Sequence, residues 1–126
     1  ALVGGEMTEM EGTIKSYLKD DSRFITHSSR TNNGGKLAVT HFRTLQKSKD
    51  FSLVELKLET GRKNQIRVQM NAISHTVVGD DKYGTPKDPL KRLGLHASKL
   101  FFTHPISGES IAISSPVPAV FTEFFK

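Results

Sequence analysis

Apolar and polar residues alternate most cleanly from Leu53 to Glu59. Val54, Leu56 and Leu58 fall on one side, and Glu55, Lys57 and Glu59 on the other. A period of two marks a strand with one face toward a core and one toward water. Leu37 to Leu45 is rich in β-formers and predicts another strand. Leu100–Thr103 and Ile111–Ile113 are short apolar runs whose link, Pro105-Ile106-Ser107-Gly108, reads as a hairpin-like connection. Asn32-Asn33-Gly34-Gly35 predicts a turn, and the opening Ala1-Leu2-Val3-Gly4 reads as a strand entered midway. After Thr60-Gly61 the period changes: Ile66, Met70 and Ile73 recur at i, i+4 and i+7, which predicts a helix with that face in the core. Lys63 and Arg67, four apart, are expected to edge one groove beside it. A short second helix is expected from Ala119 to Phe125, after Pro116 and Pro118.

Composition narrows what such elements could serve. The 126 residues, 36% hydrophobic and 25% charged, suffice for one domain and exclude a chain made mainly of disordered tail. Absence of cysteine excludes a disulfide framework, a thiolate nucleophile and a cysteine zinc site, and fits a reducing compartment, the cytoplasm. No apolar run exceeds three residues, too short for a bilayer-spanning helix, so no membrane partner is expected. The net charge of +5 favours polyanionic partners. That charge is uneven. Residues 22–49 hold Arg23, Arg30, Lys36, Arg43, Lys47 and Lys49 with no acid, and residues 60–79 hold Arg62, Lys63 and Arg67 with none. Each lysine alone reads as a solvated face, whereas two acid-free blocks in a small chain point toward a phosphate-facing surface.

Familiar catalytic patterns are missing. The chain has no nucleophile elbow, no phosphate loop and no dinucleotide fingerprint. His27, His41, His75, His96 and His104 include no pair at helical metal spacing and are read as structural, so no metal is assigned. Asp80-Asp81, in a Gly-flanked loop, reads as turn-capping. What remains is the block Glu59-Thr60-Gly61-Arg62-Lys63-Asn64-Gln65-Ile66-Arg67-Val68-Gln69, a strand that turns at a glycine into a helix. It reads equally as an anion clamp, with positive helix dipole, arginines and amides, and as an ordinary strand-to-helix junction.

That block resembles the third motif of the ribosomal large-subunit pseudouridine synthases of the A/C/D type. Further stretches resemble that family in the same order. Ser74-His75-Thr76-Val77-Val78-Gly79-Asp80-Asp81-Lys82-Tyr83-Gly84 is similar to its Gly-His-Pro and Gly-Asp-x-x-Tyr-Gly elements. Arg92-Leu93-Gly94-Leu95-His96-Ala97 and Phe102-Thr103-His104-Pro105 match its Leu-His-Ala and His-Pro elements, and Ala38-Val39-Thr40-His41-Phe42 matches its Ala-x-Thr-x-aromatic strand. Ala1-Leu2-Val3-Gly4-Gly5 resembles the tail of its second motif. The chain departs from the family in having Asn64 for His, Ser74 for Gly and Thr76 for Pro, and the last two loosen the loop before Val77.

The resemblance implies an α+β fold, a mixed, mostly antiparallel sheet with packed helices, and residues 1–126 as the C-terminal part of the catalytic domain. It implies isomerisation of uridine to pseudouridine in ribosomal or other structured RNA, without a cofactor. Arg67 would pair with a nucleophilic aspartate, and Ile66 would line the pocket. Arg62, Lys63, Asn64 and Gln65 are the expected RNA contacts. The family carries that aspartate in an Arg-Leu-Asp segment, which this sequence lacks. The chain alone is therefore expected to be inactive, with weak, salt-sensitive RNA affinity. Half of a sheet is expected to leave an open edge that invites self-association. The competing reading is a non-catalytic RNA-binding or interaction module derived from the same fold.

Overall fold

A computed structural model describes residues 1–32, 34–80, 82–83, 93–97, 99–103, 110–115 and 117–122. Its elements run β1 (Leu2–Gly4), β2 (Glu11–Asp20), β3 (Thr26–Ser29), β4 (Lys36–Lys47), β5 (Phe51–Leu58), α1 (Gln65–Ala72), β6 (Lys99–Thr103), β7 (Ser110–Ser114) and α2 (Ala119–Thr122). The first five strands form one sheet in the order β1-β5-β4-β2-β3, with every pairing antiparallel. β6 and β7 pair antiparallel as a separate ribbon, as their apolar runs predict. Their connection at 104–109, with His104, lies outside the described residues, as do Asn33 and the expected end of α2 beyond Thr122.

Alternation along the strands sorts side chains to two faces. On one face Val3, Phe42 and Val54 pack with Met7, Met70 and Val77, and Ile66 and Ile73 close over them. The helical face predicted from Ile66, Met70 and Ile73 is thus the core face. Farther along the same face of the sheet, Val68 meets Leu18 and Ala38. On the opposite face Leu2, Leu53 and Val78 pack with Phe121 of α2. β5 therefore has a wet face only over its second half. Glu55 and Lys57 are exposed there, while Leu53 is buried because α2 covers it. Leu58, at the strand's end, has run past the core and is 44% exposed.

β1 is a sheet edge only by strand count. It pairs with β5 on one side, through Leu2↔Leu53 to Gly4↔Phe51. On the other side the Val78 N–H donates to the Leu2 carbonyl (2.9 Å), the Gly4 N–H to the Thr76 carbonyl (2.9 Å) and the Leu2 N–H to the Gly94 carbonyl (2.7 Å). Gly94 must be glycine for this approach, since a Cβ there would lie 2.9 Å from the Leu2 carbonyl oxygen. The open edge expected for half of a sheet does not occur at β1, because the 76–78 segment and Gly94 take its main-chain groups.

Candidate functional site

The junction between β5 and α1 is fixed by polar groups facing inward. Gln65, the first residue of α1, is 2% exposed. Its Oε1 accepts from the Thr60 hydroxyl (2.9 Å) and the Arg62 N–H (2.9 Å). Its Nε2 donates to the Thr40 hydroxyl (2.8 Å) and the Val39 carbonyl (3.2 Å) of β4. One turn on, buried Gln69 accepts from the Thr40 hydroxyl and donates to Ser16 Oγ (2.9 Å) and the Ala38 carbonyl (3.1 Å). Buried amides survive only when satisfied, and this chain from β5 to β2 satisfies both. It fixes how α1 lies on the sheet.

That geometry separates the four residues expected to contact RNA. Arg62 and Lys63 are exposed, with Arg62 Nε donating to the Leu37 carbonyl (2.9 Å). Asn64 sits in the left-handed region (φ 57°), a conformation asparagine tolerates better than most residues. Its Nδ2 donates to the Tyr83 hydroxyl (3.1 Å). The expectation of an RNA contact is corrected for Gln65, whose amide is buried and committed to β4, while Asn64 is half-buried with its amide on Tyr83. The shared groove expected for Lys63 and Arg67 is corrected too. Lys63 precedes the helix, and its Nζ lies 3.7 Å from an Asp20 carboxylate oxygen.

Arg67 points elsewhere on α1, to Asp80. Its Nε donates to Oδ2 at 2.9 Å and its Nη2 to Oδ1 at 2.8 Å, a two-bond fork. Gly79, at φ 80°, turns the chain so that Asp80 faces inward. The Asp80 side chain is fully buried and that of Arg67 is 22% exposed. The Lys82 (3.1 Å) and Tyr83 (3.0 Å) N–H groups also donate to Asp80 Oδ1. Burial alone would push this carboxyl up. The Arg67 hydrogen bonds and charge, with the two N–H donors, outweigh it and hold the carboxyl below the usual range. The Tyr83 ring lies 5.2 Å from the Arg67 guanidinium carbon and 5.3 Å from Lys82 Nζ. Its hydroxyl accepts from the Thr26 N–H (3.1 Å), which ties this loop to β3.

Ile66 is half-buried against the apolar cluster beside Arg67. Sequence reasoning found Arg67 and read Asp80 as structural, but did not join the two. The pair is thirteen residues apart, and only the loop after α1 closes that gap. The segment before it is set by Ser74, at φ 67°, where the resembled family has glycine. His75 Nδ1 lies 2.9 Å from the Gly4 carbonyl oxygen, and the Thr76 hydroxyl donates to Asn71 Oδ1 (3.0 Å). His96 Nε2 is buried without a hydrogen-bond partner. Among the described residues no group of His, Asp and Glu side chains is arranged to hold a metal, and no helix is long and apolar enough to cross a membrane.

Known proteins resemble this chain in sequence and fold. The profile of the RNA pseudouridylate synthase family matches residues 1–72. The chain is 40% identical over 121 residues to the RNA pseudouridine synthase YhcT of Bacillus subtilis, covering 94% of this chain and 40% of that protein. It is 37% identical over 128 residues to the ribosomal large subunit pseudouridine synthase D of Neisseria meningitidis serogroup A, covering 92% of this chain and 34% of that protein. The structure of human RNA pseudouridylate synthase domain containing 1 superposes with a TM-score of 0.79 at 28% identity, over 92% of this chain and 52% of that one. The chain thus spans well under half the length of these two bacterial relatives, yet nearly all of it is matched. An α1 latched to the sheet by glutamines and carrying Arg67, together with this family match, makes the chain a member of the RNA pseudouridylate synthase family.

Proposed function

We propose that the chain forms the C-terminal part of the catalytic domain of an RNA pseudouridine synthase acting on ribosomal or other structured RNA in the cytoplasm. The observation that carries this reading is the position of Arg67. It stands on a helix whose pose is fixed by the Gln65 and Gln69 amides, and its guanidinium plane is fixed by Asp80. In the isomerisation the N1–C1′ bond breaks, the uracil turns, C5 bonds to the same ribose carbon and loses its proton, and N1 takes up a proton. An aspartate does this work either covalently or as a base. It must stay ionised, and an oriented arginine stabilises the charged form. Arginine suits the task because its five donors allow one guanidinium to serve two carboxylates, Asp80 from behind and the attacking aspartate in front. Ile66 lines the adjoining pocket, and the exposed Arg62 and Lys63, before α1 and apart from Arg67, meet phosphates of the bound RNA. The Arg-Leu-Asp segment that would supply the attacking aspartate is not in this sequence, so these residues position and bind rather than attack.

The test is a chimera. Residues 1–126 replace the matching segment of the Neisseria meningitidis pseudouridine synthase D, and tritium release is followed from ribosomal RNA labelled at uridine C5. Release is expected from the chimera, with loss of at least a hundredfold in Arg67→Met, and none from residues 1–126 alone. A folded chimera that binds RNA but releases nothing, beside an active parent, would favour the non-catalytic binding module.

A further inference from the structure

Phe24, at the tip of the β2–β3 hairpin, is 70% exposed, the most exposed large apolar residue described. Its backbone is left-handed (φ 61°), a conformation that a bulky residue adopts only when its surroundings impose it. The surroundings here are specific. Asp21 Oδ1 accepts from the Arg23 N–H (2.8 Å) and the Ile25 N–H (3.1 Å), and Asp21 Oδ2 meets His27 Nε2 at 2.8 Å. The Phe24 N–H donates to the Asp21 carbonyl (3.0 Å), and the Asp21 N–H to the Ile25 carbonyl (2.9 Å). A turn braced in this way displays its aromatic ring instead of folding it inward.

One cation stands at the ring and two more lie at the same turn. Lys63 Nζ stands 5.8 Å from its centroid, and Lys82 Nζ donates to the Phe24 carbonyl (3.3 Å). Arg23 is the exposed neighbour in the chain. The nearby acids are already engaged. Asp20 accepts from the Thr26 hydroxyl (2.6 Å) and faces Lys63, and Asp21 is held by its turn and His27. Lys63 ties the hairpin to the start of α1, and Lys82 ties it to the loop that carries Asp80. The tip therefore lies on the Arg67 side of the molecule.

We propose that Phe24 is a stacking platform for an unpaired nucleobase of the RNA substrate, with Arg23, Lys63 and Lys82 holding the adjoining phosphates. A flat apolar ring among cations matches the two faces of a nucleotide, whose base stacks and whose phosphate is anionic. Asp21 is the positioning residue, because it fixes the turn and touches no nucleotide. The inference rests on the RNA-binding part of the function proposed above.

The test uses the full 126-residue chain and two labelled probes, a twelve-nucleotide oligouridine and a blunt twelve-base-pair RNA duplex. The sequence has no tryptophan, so Phe24→Trp provides a single reporter at the proposed contact. Oligouridine is expected to quench its fluorescence. Phe24→Ala and Phe24→Leu are expected to weaken oligouridine binding about tenfold, leaving duplex binding and its salt dependence unchanged. Unchanged oligouridine affinity in both variants, or an unquenched reporter, overturns the platform while leaving RNA binding by the parent chain intact. Equal losses on oligouridine and duplex also overturn it. Failure of the parent chain to bind either probe at low salt removes the RNA-binding premise itself.

Discussion

At the scale of single residues, the Arg67–Asp80 pair is the most consequential contact. Breaking a buried pair by neutralising one partner leaves the other charge desolvated without compensation. Asp80→Asn keeps the shape and removes the charge, and is expected to cost about 3 kcal/mol of stability, read from urea unfolding midpoints. The pH dependence follows from the same contact. The Asp80 carboxyl titrates lower in the folded chain than its unfolded value of 3.8. Its contribution is therefore complete above that value and is lost as pH falls through the lower folded one. Asp80→Asn is expected to flatten the acid limb of the stability profile, and an unchanged limb would show that the pair carries no linked proton.

The residues also show where sequence reading stops. Arg67 was legible because its motif is local. Gln65 misled because amides ordinarily face water, and only the opposing Thr40 reveals it as an interior group. Phe24 gave no signal, since a lone Phe in a polar stretch reads as core until the strained turn beneath it is seen.

Among elements, the helix and β5 were the most legible, because apolar residues recur in them with periods near 3.6 and 2. β2 was not singled out. Its inward row is Ile14, Ser16, Leu18, and the serine that breaks the apolar alternation is the one that receives Gln69. The basic block from residue 22 to residue 49 is also not one surface. The antiparallel register of β2 and β4 sends Arg23 and Lys36 to the sheet end nearest α1, and Arg43, Lys47 and Lys49 to the other. Arg43 is further engaged by Glu55 (3.5 Å). The hairpin tip can be tested as an element of its own. The His27 hydrogen bond, with the Ile25 and Arg23 N–H groups, holds the Asp21 carboxyl at about 2, against 3.8 unfolded. The turn is expected to be fully braced above pH 3.8 and to open as pH falls toward 2, seen as faster amide exchange at Arg23 and Ile25 by NMR. Asp21→Ala is expected to show the same fast exchange at neutral pH, and unchanged protection there would mean that the backbone alone sets the turn.

For the whole molecule, α+β character and antiparallel pairing were readable, and the distribution of packing was not. Apolar spacing shows that a segment is buried, not which segment buries it. Val77 and Val78, just after the loop that follows the helix, divide between the two apolar clusters on opposite faces of the sheet. The short strand β1 is where both clusters and three separate stretches of chain meet.

That position has a temporal consequence. The main-chain N–H of Leu2 finds its partner only when Gly94, ninety-two positions later, has been made and brought back to it. At roughly 5–20 residues per second of synthesis, that N–H waits about 5–18 s for its partner. The contacts of β1 are also the longest-range described, so loop closure disfavours their early formation even in an intact chain. In pulsed exchange during refolding, the amides of Leu2 and Gly4 are expected to gain protection after those shared by β2 and β4. Protection of β1 in the first phase would reverse that order. On this reckoning β1 is set in place late, and its arrival joins the clusters on the two faces of the sheet.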